Sequence, residues 1–202
     1  MVGAALTAVA LFAAAIQPPS EARDWDLGRA WCATNGALVR HSLNAYWRFR
    51  PADANETVIP LDGWGWFLVP GRWRGAGHGN LMHADDGSEM REFRGRKVED
   101  YSAAWYRRTF EPPTDCVGRC TRLYFELLDS ALEVRLNGKI VPLEPQHPES
   151  RLFADVTEFL RQGERNELLL RIAADPSARR RGDSAGVRGN IWLETRPFAG
   201  FG

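Results

Sequence analysis

The chain has 202 residues and a mass of 22.7 kDa, room for one ordinary domain with a sizeable core and too little for two large ones. Hydrophobic residues make up 44% and charged residues 26%, which excludes wholesale disorder and a polytopic membrane protein. Basic and acidic side chains number 26 each, so no global field draws nucleic acid or acidic lipid to the surface.

The chain opens on Gly3 to Ile16 (GAALTAVALFAAAI), an uncharged apolar run with the length of a secretory signal core, too short to span a bilayer. Small residues allow cleavage after Ala15, with Ala13, or after Ala22, with Ser20. Residues 1–22 are therefore expected to be a signal peptide, placing the protein outside the cell or in a periplasm, with no membrane association after cleavage. Residues 23–42 follow as a polar N-terminal extension.

Eight Trp, ten Phe, 19 Gly and 12 Pro predict short strands joined by many turns. Asn44 to Arg50 (NAYWRFR) places Trp47 and Phe49 on one face of a first strand. Gly65 to Pro70 (GWFLVP) is a second, stopped by Pro70-Gly71. Gly75 to Asp100 has no sustained period and reads as a long functional or mobile loop. Ser102 to Phe110 alternates Tyr106, Arg108 and Phe110 with Trp105, Arg107 and Thr109. Thr121 to Leu128 and Leu132 to Leu136 repeat that pattern before Asn137-Gly138, a strong hairpin signal with Lys139 to Leu143 returning. Asp155 to Leu160 reads as a capped helical turn. Glu167 to Ala173 and Asn190 to Arg196 complete eight strands, separated by an Arg- and Gly-rich loop.

Eight short strands with one helical turn predict an all-β fold, an antiparallel β-sandwich of the jelly-roll type. Cys32, Cys116 and Cys120 are too few for a disulfide scaffold and lack zinc spacing, so no metal site is expected. Cys116 and Cys120 either close a small ring across Val117-Gly118-Arg119 or stay unpaired thiols. Arg179-Arg180-Arg181 lacks interleaved aromatics and reads as a solvated turn rather than a nucleic-acid site.

The order of motifs resembles the N-terminal sugar-binding domain of glycoside hydrolase family 2, which is galactose-binding-domain-like in fold. LNAYWRFRP at Leu43 to Pro51 is similar to that family's opening L-N-G-x-W-x-F strand, and VPGRW at Val69 to Trp73 to its V-P-G-x-W turn. WYRRTFEP at Trp105 to Pro112, LEVRLNGK at Leu132 to Lys139 and ADVTEFL at Ala154 to Leu160 resemble its next three motifs. GVRGNIWL at Gly186 to Leu193 resembles its closing strand, with Asn190 where the family usually has Asp. The resemblance covers residues 43–197, and residues 198–202 read as a linker.

The resemblance implies a carbohydrate partner, a β-glycoside or oligosaccharide, and no cofactor. Family members continue into an immunoglobulin-like domain and a (β/α)8 barrel that supplies both catalytic carboxylates, so no catalytic residue is expected here. In the family, loops of this domain reach over the sugar, which makes Asp183 and Arg188 candidates. Trp64, Trp66 and Trp73 are candidate platforms for the apolar face of a pyranose. The expected function is the non-catalytic, sugar-facing part of a secreted exo-glycosidase, or, as the alternative, a self-contained carbohydrate-binding or adhesion module.

Overall fold

The computed structural model describes residues 32–74, 80–128, 131–146, 151–174 and 185–198. Its strands, in chain order, are β1 (Cys32–Asn35), β2 (Leu38–Ser42), β3 (Ala45–Ala52), β4 (Gly65–Val69), β5 (Gly71–Arg74), β6 (Met82–His83), β7 (Glu89–Met90), β8 (Glu92–Phe93) and β9 (Arg96–Lys97). They continue as β10 (Ala103–Phe110), β11 (Cys120–Phe125), β12 (Ala131–Leu136), β13 (Lys139–Ile140), β14 (Glu144–Gln146), β15 (Arg151–Asp155), β16 (Asn166–Ala173), β17 (Ala185–Val187) and β18 (Ile191–Arg196).

Two antiparallel sheets face each other. Six strands run in the order β1-β2-β18-β11-β15-β14, and eight in the order β13-β12-β16-β10-β3-β4-β6-β7. Two ribbons, β5 with β17 and β8 with β9, complete the fold. The β-sandwich read from strand alternation is thus the architecture found.

Period-two alternation builds the core. Trp47 and Phe49 of β3 point between the sheets and have no exposure, as have Phe67, Tyr106, Phe125 and Leu193. Phe49 stacks on Phe67 at 4.6 Å and meets the edge of Tyr106 at 5.0 Å. Such pairs add about 0.5–1.5 kcal/mol each beyond area burial. The indole N–H of Trp47 donates to the Leu43 carbonyl at 2.9 Å, so its polar atom is satisfied inside the core.

The Asn137-Gly138 turn forms as read: both residues take positive φ, 54° and 80°, and Leu136 pairs with Lys139, but the returning strand is only Lys139–Ile140 and not Lys139 to Leu143. Buried Asn166 anchors it, accepting from Asn137 Nδ2 at 2.8 Å and donating to the Arg161 and Glu164 carbonyls.

The structure departs from the sequence reading in three places. Residues 32–42 are not an extension: β1 and β2 form a hairpin around Gly36 (φ 59°), and β2 pairs with β18 inside the six-stranded sheet. The stretch from 80 to 100 is not a bare loop, because it holds β6 to β9. The single turn expected over Asp155 to Leu160 starts later, because Asp155 closes β15, and the turn itself is present, with Leu160 N–H donating to the Val156 carbonyl at 3.0 Å. The expected signal peptide lies outside the described residues.

Polar chemistry locks the outer faces. Glu194 has no exposure and accepts from Arg40 Nε on β2 and Arg122 Nε on β11, each at 2.6 Å. Asp53 accepts two bonds from Arg96, at 2.7 and 3.1 Å, and one from Ser102 Oγ. That guanidinium, foremost through its hydrogen bonds, holds the Asp53 carboxyl below the usual carboxylate range.

Two outcomes follow for stability. Removing the Glu194 carboxylate leaves two guanidiniums facing a half-dry site. Glu194→Ala is therefore expected to lower unfolding free energy by about 3 kcal/mol, read as a shifted urea midpoint at unchanged slope. Because the Asp53 pKa is lowered on folding, its stabilisation is present above the unfolded value and lost as pH falls through the folded one. Asp53→Asn is expected to narrow the stability difference between pH 7 and pH 3, measured by denaturant titration at both.

Candidate functional site

The β2 strand runs through Leu43 and Asn44 into β3, passing from one sheet to the other. At that corner the end of β11 and the start of β18 bring Glu126 and Asn190 beside Asn44. Asn44 Nδ2 donates to Asn190 Oδ1 at 2.7 Å, and the Ile191 N–H donates to Asn44 Oδ1 at 3.1 Å. Glu126 accepts from Asn190 Nδ2 at 2.7 Å and from Trp192 Nε1 at 2.8 Å, with the Asn190 N–H at 3.3 Å. All three polar residues are half-buried.

Two glycines let the chain reach this corner. A Cβ on Gly189 would lie 2.7 Å from the Leu127 amide nitrogen, and one on Gly186 would lie 2.2 Å from the Gly71 carbonyl. The close approach allows the Arg188 and Gly189 N–H groups to donate to the Leu127 carbonyl at 2.9 and 3.0 Å. Arg188 is thereby fixed by its backbone at the rim, with its side chain exposed.

The corner explains the asparagine at position 190. A carboxylate there would meet Glu126 at hydrogen-bond distance without a donor, whereas the amide supplies one. The local negative charge resides on Glu126. Two acceptor oxygens held by indole and amide donors, next to paired amides and an arginine, suit the hydroxyls of a polyol. Asn44 belongs to the opening motif, but Glu126 carries no sequence signal, since it ends an ordinary alternating strand.

The other candidates lie apart. Trp73 is 3% exposed and donates to the Tyr101 carbonyl at 3.3 Å, so no pyranose reaches its face while the sandwich is closed. Trp66 and Trp64 sit on the outer face of the eight-stranded sheet. Arg48 covers Trp66 at 4.7 Å and Arg107 covers Trp64 at 4.4 Å. Trp66 Nε1 also donates to Asp85, which pairs with Arg48. Asp183 lies outside the described residues; Ala185, the first residue of β17, is registered opposite Arg74 of β5.

The three cysteines are free thiols, the unpaired alternative for Cys116 and Cys120. Burial, helped by Asp115, pushes the Cys116 thiol up to about 12. His41, on β2, places Nε2 2.9 Å from Asp115 and so ties the turn at Thr114–Cys116 to the first hairpin.

No protein-family model matches the chain. In sequence it is 27% identical over 159 residues to the β-galactosidase BoGH2A of Bacteroides ovatus, an overlap of 76% of this chain and 18% of that enzyme. In structure it matches a β-glucuronidase of Faecalibacterium prausnitzii with a TM-score of 0.59 at 20% identity, and one of Bifidobacterium dentium, complexed with coumarin-3-O-glucuronide, with 0.57 at 19%. Each match covers 83% of this chain and 33% or 31% of the enzyme. The chain thus spans less than a fifth of its curated relative and about a third of these structures. The structural matches show the fold, and both comparisons are consistent with the resemblance to the N-terminal β-sandwich of glycoside hydrolase family 2.

Asn190→Asp is expected to cost about 2 kcal/mol at pH 7 by setting two carboxylates against each other and deleting a donor. One of the pair then has a raised folded pKa, so the cost should vanish as pH falls below the ordinary carboxylate range, when a shared proton restores the bond. Thermal melts of the variant and parent between pH 3 and 8 check this.

Proposed function

We propose that this chain is the non-catalytic, carbohydrate-facing β-sandwich of an exported exo-glycosidase resembling family 2, with the hydrolytic carboxylates on further domains. The observation that carries this reading is the sequence likeness to a β-galactosidase that extends over most of this chain and only 18% of that enzyme. Retaining hydrolysis needs an acid/base carboxylate and a nucleophile about 5 to 5.5 Å apart. Here Glu194, Asp53 and Asp85 are each held by arginine, which suits structural roles. Glu126 is left to accept a sugar hydroxyl, Asn44 and Asn190 to orient it, and Arg188 to approach from the rim. In this reading residues 1–22 direct export and are removed.

The test uses the purified chain. It is expected to release no nitrophenol from nitrophenyl β-galactoside or β-glucuronide. Calorimetric titration with galactose or glucuronate is expected to show millimolar binding, weakened about tenfold by Glu126→Gln through loss of a charge-assisted acceptor. Turnover abolished by substituting a carboxylate of this chain overturns the non-catalytic role, and binding untouched by Glu126→Gln overturns the corner as the site.

A further inference from the structure

On the outer face of the six-stranded sheet, away from the Glu126 corner, lies a cleft of about 420 Å³. Cys120, Pro142, Glu144, Asp155, Thr157, Glu158, Phe159 and Phe198 line it. Three features stand out. Its walls include two phenyl rings, and Phe198 is 73% exposed although large and apolar. Among the described residues no lysine or arginine lines it, although Arg122 and Arg196 stand opposite Asp155 and Cys120 on the neighbouring strands. Glu144 and Glu158 carry no ion pair among the described residues, and Asp155 accepts only the backbone N–H of Thr157, at 2.9 Å.

We infer that this cleft is a second sugar subsite, selective for a hexose unit bearing a free ammonium group. The inference rests on the carbohydrate reading above and adds a charge requirement that the Glu126 corner does not have. The C–H face of a pyranose fits against the exposed Phe198 ring, while Phe159, packed against the core, supplies a fixed apolar wall. Two exposed carboxylates, without cationic partners among the described residues, attract an ammonium at the mouth of the cleft, an attraction that water and salt screen. The volume falls in the range of small-ligand sites, and the cleft is open on one side, so a sugar there would stay partly solvated. The hydroxyl of Thr157 is already committed, accepting from the Thr121 N–H at 2.9 Å, so selectivity falls to the carboxylates.

The probe is glucosamine, titrated calorimetrically into the whole chain and compared with glucose, N-acetylglucosamine and trilysine. Glucosamine is expected to bind at least fivefold more tightly than either neutral sugar, with the preference shrinking in 0.5 M salt. Glu144→Gln with Glu158→Gln is expected to abolish the preference, each carboxylate accounting for about a threefold effect. Phe198→Ala, at an exposed site, is expected to weaken glucosamine and leave the binding of neutral sugar at Glu126 unchanged. Equal binding of glucosamine and glucose overturns the cleft while sparing the carbohydrate reading. Binding of no sugar at all overturns both, and trilysine matching glucosamine overturns the assignment to a sugar.

Discussion

Glu194 is a carboxylate with no access to water, on the face of a sheet that looks outward, and it exists there because two guanidiniums meet it. Arg40 and Arg122 come from the strands on either side, so one acid ties β2, β18 and β11 together. Breaking such a group costs more than making it contributes, since the surviving charges stay partly dehydrated. The register of the six-stranded sheet follows: a slip of one residue would turn Glu194 into the apolar core and Leu193 out of it. The β1–β2 hairpin, the corner at Asn44 and the placement of Glu126 all depend on that register.

The same economy runs over both outer faces. All but two of the 26 basic side chains are arginine, the exceptions being Lys97 and Lys139. Arginine lies flat on aromatic rings while its nitrogens reach carboxylates, which an ammonium cannot do. Arg122 over Phe153 at 3.9 Å, Arg96 over Tyr101 at 3.6 Å and Arg48 over Trp66 at 4.7 Å each combine a ring with an acid or carbonyl. Tryptophans that look available for a sugar in the sequence are thereby occupied by the protein itself.

What the sequence discloses depends on the range of the force that shapes each part. Alternation and Asn137-Gly138 are local, and the strands they predict are present. The first hairpin carries a similar signal in Asn35-Gly36, but its four-residue partner strand, Cys32–Asn35, is too polar and short to show a period. The two-residue strands β6 to β9 are shorter than any pattern. The candidate site is harder still: Arg188 is read from the closing motif, while Glu126 becomes visible only when Asn190 and Trp192 fold against it. Trp73 shows the converse, since adjacency to a turn in sequence says nothing about which side of a sheet it closes.

The pairing of β2 with β18 also sets an order of events. Arg40 and Glu194 are 154 positions apart, so the six-stranded sheet cannot close until its final strand has been synthesised. At about 5–20 residues per second, that is an interval on the order of ten seconds or more. Throughout it β2 has an unsatisfied edge, and β11, once made, lacks its neighbour on the β18 side. Contacts of such long range make for slow collapse and a high demand for chaperone cover. For a chain built this way, a late closure of the six-stranded sheet is a consequence of its topology and requires no separate retarding device.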